Sequence, residues 1–147
     1  MKGLLSIPGK VDLASAYDLL SSGAGAEADV GKLALYSQWA RFDPRLAEVL
    51  AAWVSRHWRR VNAFDLESAL LAQPWPAAMA VVLEQALSFQ VSADERPAFK
   101  LWQRAVTHRC PKARFEMFFI GTMAPGGKLM RRAAEVPHRS FVKWGYL

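Results

Sequence analysis

The sequence lacks the features of a disulfide-bonded, membrane-spanning or secreted protein. It contains one cysteine, Cys110, among 147 residues, so no internal disulfide can form and a reducing, cytoplasmic location is expected. No apolar run reaches the about 20 residues that a transmembrane helix needs, and the apolar stretch within residues 1–8 is too short for a signal peptide. The sequence therefore predicts a globular protein with no membrane contact.

Groups that carry catalytic or metal chemistry are also scarce. The chain has three histidines, His57, His108 and His138. No second cluster of cysteine or histidine exists to complete a four-ligand zinc site. His108 and Cys110 are two positions apart, which points their side chains in different directions on a helix and does not suit a thiol–imidazole pair. The carboxylates are scattered, and Asp43 and Asp65 are interpreted as helix caps. We therefore predict a non-enzymatic protein with no catalytic residue, no metal and no cofactor.

The glycine-rich residues 121–129 lack two positions of a nucleotide-binding P-loop. Thr122 stands where that motif needs its first glycine, and Leu129 stands where a hydroxyl group must reach Mg²⁺. Nucleotide hydrolysis is therefore excluded. The two glycines before Lys128 either form a simple turn or present free N–H groups to a single anion.

Acidic residues are nearly absent from the last third of the chain. Residues 96–147 hold 11 Lys+Arg against Glu116 and Glu135, a net charge of +9, whereas residues 1–95 hold 8 Lys+Arg against 11 Asp+Glu, a net charge of −3. This asymmetry indicates that the last third meets an anionic partner. The alternative is that its cations are solvated or pair with the acidic body.

The apolar residues, 52% of the chain, recur at helical spacing. The pair Asp43-Pro44 is a strong helix start, and apolar side chains follow it every three or four positions. Asp29 is predicted to cap a helix that runs to about Arg41, and this helix is apolar around most of its circumference and should be largely buried. The residues that break this pattern are Lys32, Ser37, Gln38 and Arg41.

The fold class predicted from these patterns is mostly α, a single-domain antiparallel bundle of about six helices. Residues 1–28 are interpreted as an N-terminal helix and a flexible Gly/Ala loop, and residues 29–147 as a helical domain with a basic C-terminal third. A short β or extended segment is allowed after residue 113, although the phenylalanine spacing in residues 115–120 favours a helix.

Three further elements are predicted towards the C-terminus. Ser92 and Glu95 match a capping box that would start a helix at Ser92 and run it to about Arg109. Residues 128–135 read as a short helix, and residues 140–147 alternate in a way that is typical of an extended segment.

The function predicted from the sequence is nucleic-acid contact through the basic C-terminal third. The residues expected to contact phosphates or another anion are Arg96, Lys100, Arg104, Lys112, Arg114, Lys128, Arg131, Arg132, Arg139 and Lys143. Trp144 and Tyr146 are available for stacking on bases. The alternative is a protein-interaction module, an adaptor, regulator or complex subunit, in which the same basic-aromatic surface binds an acidic protein partner or a second copy of the chain.

Overall fold

The computed structural model describes residues 13–22, 29–114, 116–120 and 139–146. Within them the chain forms seven α-helices and two 3₁₀ turns, and no strand, which confirms the mostly helical class. The helices are α1 (Leu13–Ser22), α2 (Val30–Trp39), α3 (Pro44–His57), α4 (Ala63–Leu71), α5 (Pro76–Phe89), α6 (Arg96–Thr107) and α7 (Arg139–Lys143). The 3₁₀ turns are Ala40–Phe42 and Trp58–Arg60. The antiparallel order of the helices stays a prediction, and the Gly/Ala loop and the predicted helix 128–135 lie outside the described residues.

Two of the predicted helix starts are confirmed at the level of single hydrogen bonds. The Asp29 carboxylate accepts from the backbone N–H of Lys32 at 3.2 Å and caps α2. The Asp43 carboxylate accepts from the N–H of Arg45 at 3.0 Å and caps α3, while its second oxygen accepts from the Tyr17 hydroxyl at 2.5 Å. Asp43 therefore also ties α1 to the start of α3.

Two other helix starts differ from the prediction. Asn62, and not Asp65, caps α4, because its side chain accepts from the two N–H groups of the first turn at 3.0 and 3.1 Å. The capping box at Ser92 does not form, and α6 starts later, at Arg96. The Ser92 carbonyl instead closes a turn by accepting from the N–H of Glu95, and the Glu95 carboxylate pairs with Arg59 at 3.0 Å.

The main hydrophobic core is formed by residues of the six helices from α1 to α6. Its fully buried members include Leu46, Leu50, Leu66, Leu70, Met79, Leu83 and Phe99. The ring of Trp58 meets that of Phe99 edge-on at 5.7 Å, and the Trp102 indole donates to the carbonyl of Val61 at 2.9 Å. These contacts fix α6 on the bundle, so that its polar face is turned outward.

A second, smaller core holds the C-terminal residues against the first half of α5. Phe118, Phe141 and Tyr146 pack with Trp75 and Val81, and the Phe118 ring is stacked on that of Phe141 at 5.2 Å. Residues 116–120 are not helical, so the helix favoured by the phenylalanine spacing is wrong. The described residues after 113 contain no strand either: Glu116 forms one isolated parallel bridge with Tyr146, and the chain bends at Phe118 and Phe119.

The C-terminal residues also differ from their predicted extended form. Arg139–Lys143 form α7, which is followed by a turn at Gly145 with a φ of +83°. A Cβ at Gly145 would lie 2.2 Å from the Ala113 carbonyl oxygen, so glycine is required by both its backbone angle and this close approach. None of the helices in the described ranges is long and apolar enough to cross a membrane.

The end of α2 and the 3₁₀ turn that follows it carry two buried polar side chains that join the two cores. The Arg41 side chain, 1% exposed, donates to the carbonyls of Met117 and Phe118 at 2.7 and 2.8 Å. The Gln38 side chain accepts from the N–H of Trp75 and donates to its carbonyl, both at 2.8 Å. These polar positions therefore face protein and not solvent, which explains how an almost wholly buried helix tolerates them.

Candidate functional site

An open groove of about 580 Å³ lies where α5, α6 and the C-terminal residues meet. We call it the basic groove, and its lining residues are Glu84, Leu87, Ser88, Arg96, Lys100, Gln103, Arg104, Thr107, Lys143 and Trp144. Four of these carry a positive charge and one carries a negative charge. Five of the twelve side chains predicted to contact nucleic acid are thus brought together here.

The α6 side of the basic groove is a row of cations. Arg96, Lys100 and Arg104 are four positions apart, which places them about 6 Å apart along the helix axis. Lys100 and Arg104 are exposed, and neither forms an ion pair within the part of the chain that the structure describes. A guanidinium N–H of Arg96 donates a hydrogen bond to the carbonyl of Leu87 at 2.8 Å, which fixes the Arg96 head group at the groove.

The other side of the groove, formed by α5 and the C-terminal residues, is close to neutral. The Lys143 ammonium lies 2.5 Å from a carboxylate oxygen of Glu84, whose side chain is 15% exposed. Leu87 adds apolar surface, and Trp144 lines the groove as a partly buried ring. Glu84 was missed by sequence reasoning, because nothing local connects it to a lysine 59 positions away.

The remaining predicted residues whose side chains the structure describes do not line this groove. Lys112 and Arg114 are exposed and line a different groove, beside Trp75 and Glu116. Tyr146 is 2% exposed, because its ring packs against Phe118 in the second core, so its face is closed to a base in this structure. Arg139 begins α7, but its side chain is outside the described part, as are the residues Lys128, Arg131 and Arg132.

Among the described residues, no histidine or cysteine lines the basic groove. His57 packs against the ring of Trp53 at 4.9 Å, and its pKa is lowered by burial and by the positive charges of Arg60 and Arg56. Burial, reinforced by the negative charge of Glu67, raises the pKa of the Cys110 thiol to about 11. Among the described residues no three His, Cys, Asp or Glu side chains are placed to hold a metal ion.

The raised pKa of Cys110 predicts a slow thiol. At pH 8 the thiolate fraction should be about a hundredfold smaller than for a thiol with the ordinary pKa of 9.0, so alkylation by iodoacetamide should slow by about the same factor. The rate should climb as the pH approaches 11. Mass spectrometry of the native and the urea-unfolded protein measures both rates, and equal rates in the two states at pH 8 would contradict the assignment.

Comparisons of the chain with models of protein families, with curated proteins and with solved structures found no match. The basic groove itself is an open, predominantly cationic surface with one partly exposed aromatic ring.

Proposed function

We propose that this protein is a non-enzymatic nucleic-acid-binding protein whose basic groove contacts the phosphate backbone. The observation that carries the proposal is the row of Arg96, Lys100 and Arg104 on one side of a groove open to solvent. Lys100 and Arg104 have no carboxylate partner among the described residues, so their charges are available to an anion. Each cation that neutralises a phosphate releases a condensed counterion, which makes binding favourable at low salt.

The spacing of these cations suits a polyanion better than a single small anion. Three charges extend over about 12 Å of helix axis, whereas one phosphate group satisfies one or two side chains at hydrogen-bond distance. The arginines can donate to phosphate oxygens in a bidentate manner, and the lysine acts as a point charge. Contacts of this kind carry no sequence information, so we expect binding with little dependence on sequence.

A second candidate function is binding of an acidic protein partner at the same surface. Two exposed apolar side chains stand next to groove cations in the sequence. Leu101, beside Lys100, is 68% exposed, and Val142, beside Lys143, is 57% exposed. Apolar contact area next to cations is more typical of a protein interface than of a phosphate-binding surface.

Neutralising the free α6 cations tests the proposed function. Replacing Lys100→Gln and Arg104→Gln together should lower the affinity for a labelled oligonucleotide at least about tenfold at ~50 mM salt and reduce the log–log salt slope by about 1.4–1.8. Fluorescence anisotropy over a salt series measures both quantities. The affinity should fall by a similar factor for unrelated sequences, because phosphates are common to all of them.

The matched control removes two exposed arginines elsewhere. Arg56→Gln with Arg60→Gln makes the same change in net charge on and just after α3, and at the same ~50 mM salt it should change the affinity by less than about threefold, because neither arginine lines the basic groove. Equal losses from both pairs would contradict a defined site. No binding of any oligonucleotide at low salt would refute the nucleic-acid function and favour the acidic protein partner.

A further inference from the structure

The two sides of the basic groove differ in charge. Arg96, Lys100 and Arg104 give the α6 side three positive charges. On the other side Glu84 and Lys143 neutralise each other, and the rest of that surface includes Leu87 and the ring of Trp144. A ligand that fills this groove therefore meets cations on one edge and an uncharged, partly aromatic surface on the other.

A single nucleic-acid strand has the complementary asymmetry. Its phosphates carry the charge on one edge, and its bases present aromatic faces that stack on side chains. A duplex instead stacks its bases internally and presents phosphates from both strands, which would bring anionic groups against Glu84 as well as against the α6 cations. On the basis of the nucleic-acid binding proposed above, we infer that the groove binds single-stranded nucleic acid, and that Glu84 discriminates against duplex.

Glu84 is held in place by the fold and not by chance contact between two mobile side chains. Phe141 precedes Lys143 in the sequence and Tyr146 follows it, and both are buried in the second core. Their burial anchors α7 and directs Lys143 towards α5. Glu84 lies within α5, which is buried along most of its length. A phosphate that approached Lys143 would also meet the negative charge of this carboxylate.

Trp144 is similarly fixed. Its backbone N–H donates to the carbonyl of Phe141 at 3.1 Å, and its own carbonyl accepts from the N–H of Ala113 at 2.8 Å. The ring is partly exposed at the groove while its N–H edge is buried, so one part of the indole is available to a base. A ring that is already immobilised loses little conformational freedom when a base stacks on it.

The test compares a single strand with a duplex. An oligothymidylate of about 20 nucleotides and a hairpin duplex of the same total charge, both labelled, are titrated with the protein in a salt series. The wild-type protein should bind the single strand more tightly. Glu84→Gln should raise duplex affinity about tenfold at ~50 mM salt and steepen its salt slope by about 0.9, because Lys143 becomes available to the second strand. The single-strand affinity should rise less than about threefold.

Glu48→Gln is the matched control for charge. Glu48 is an exposed glutamate on α3 that lines a different groove, so its removal changes the net charge by the same amount without freeing Lys143. It should raise the affinities for single strand and duplex by the same small factor. Glutamine at position 84 still offers an oxygen to Lys143, so the docking of α7 is kept.

Trp144 supplies the second arm of the test. Trp144→Leu should lower the single-strand affinity about five- to thirtyfold and leave duplex affinity unchanged, since only unpaired bases can stack on the ring. Trp144→Phe keeps an aromatic face and should retain most of the affinity, which separates stacking from a general loss of structure.

The outcomes separate the inference from the function on which it depends. Equal wild-type affinities for single strand and duplex, with Glu84→Gln behaving as Glu48→Gln does, would overturn the single-strand inference and leave phosphate binding in place. Absence of binding to both probes at low salt would overturn the function itself. A preference for the single strand that Glu84→Gln removes is the expected result.

Discussion

Replacing Arg41 by methionine is expected to lower the free energy of unfolding by about 2–4 kcal/mol, because two backbone carbonyls lose their hydrogen-bond donor. The Arg41 guanidinium donates to the carbonyls of Met117 and Phe118, and it lies 4.5 Å from the ring centroid of Trp75 and 5.0 Å from that of Tyr146. Methionine has a similar length but no donor, so both carbonyls would be left without a partner inside the protein.

Arg41→Met should destabilise the contacts of residues 116–120 more than the rest of the fold. The carbonyl of Arg41 accepts from the N–H of Ile120 at 2.6 Å, so both backbone and side chain of this residue hold residues 116–120. We expect the amides of Ile120 and Tyr146 to lose hydrogen-exchange protection in Arg41→Met while the amides of α3 keep theirs. Urea unfolding followed by tryptophan fluorescence gives the change in stability.

Two variants show which contacts of Arg41 matter. Arg41→Lys keeps the charge but not the planar fork, so it should recover less than half of the lost stability. Glu116→Gln should cost less than about 1 kcal/mol, because the Glu116 carboxylate is 40% exposed and 3.6 Å from the guanidinium. Arg45→Met, the same change at an exposed site, is the control and should fall within about 0.5 kcal/mol of the wild type. An Arg41→Met protein as stable as the Arg45→Met protein would contradict the assignment.

The sequence predicted the parts of the fold that are decided by neighbouring residues. Asp29 and Asp43 cap helices through hydrogen bonds to residues two or three positions away, so a short window contains both partners. The cationic side of the basic groove was predictable for the same reason, since residues four apart on a helix share a face. The prediction from neighbouring residues was wrong at Ser92, where a backbone turn forms in place of the helix cap.

The parts that could not be predicted depend on contacts between distant residues. Residues 116–120 are held in a non-helical conformation by hydrogen bonds from Arg41, which lies 76 and 77 positions before the two residues it contacts, and these bonds outweigh the helical spacing of the phenylalanines. In a linear pattern Arg41 reads only as a polar interruption of an apolar helix. The groove likewise depends on the docking of α7, which brings Lys143 to Glu84 and buries Tyr146. Composition indicated an anionic partner, but the asymmetry between the two sides of the groove required the tertiary structure.

The end of α2 contains a second such contact, at Gln38, three positions before Arg41. Arg41 lies in the 3₁₀ turn that follows α2, and both side chains contact Trp75. Gln38 forms hydrogen bonds with the Trp75 backbone, and the Arg41 guanidinium lies over the Trp75 ring. Trp75 immediately precedes α5 and supplies no side-chain cap of its own. Gln38 therefore fixes the position at which α5 begins.

Gln38→Leu is expected to lower the free energy of unfolding by about 1–3 kcal/mol, because the N–H of Trp75 would be left buried without a partner, while its carbonyl would keep only the bond from the N–H of Ala78. The Gln38 amide also donates to the Ser37 hydroxyl at 3.0 Å, and the residue is 0% exposed, so water cannot replace these bonds without opening the core. Gln90→Leu, at an exposed glutamine, is the control for the same substitution. Equal stabilities of the two variants in urea unfolding would contradict the role given to Gln38.

Gln38→Glu separates hydrogen bonding from shape. A carboxylate can still accept from the N–H of Trp75 but cannot donate to its carbonyl, and its charge would be buried. Burial should raise the folded-state pKa of this carboxyl above its unfolded value of about 4.3. A group whose pKa is raised by folding favours the folded state at low pH and disfavours it as the pH rises. The stability deficit of Gln38→Glu against the wild type should therefore be larger at pH 7 than at pH 5, whereas that of Gln38→Leu should be the same at both.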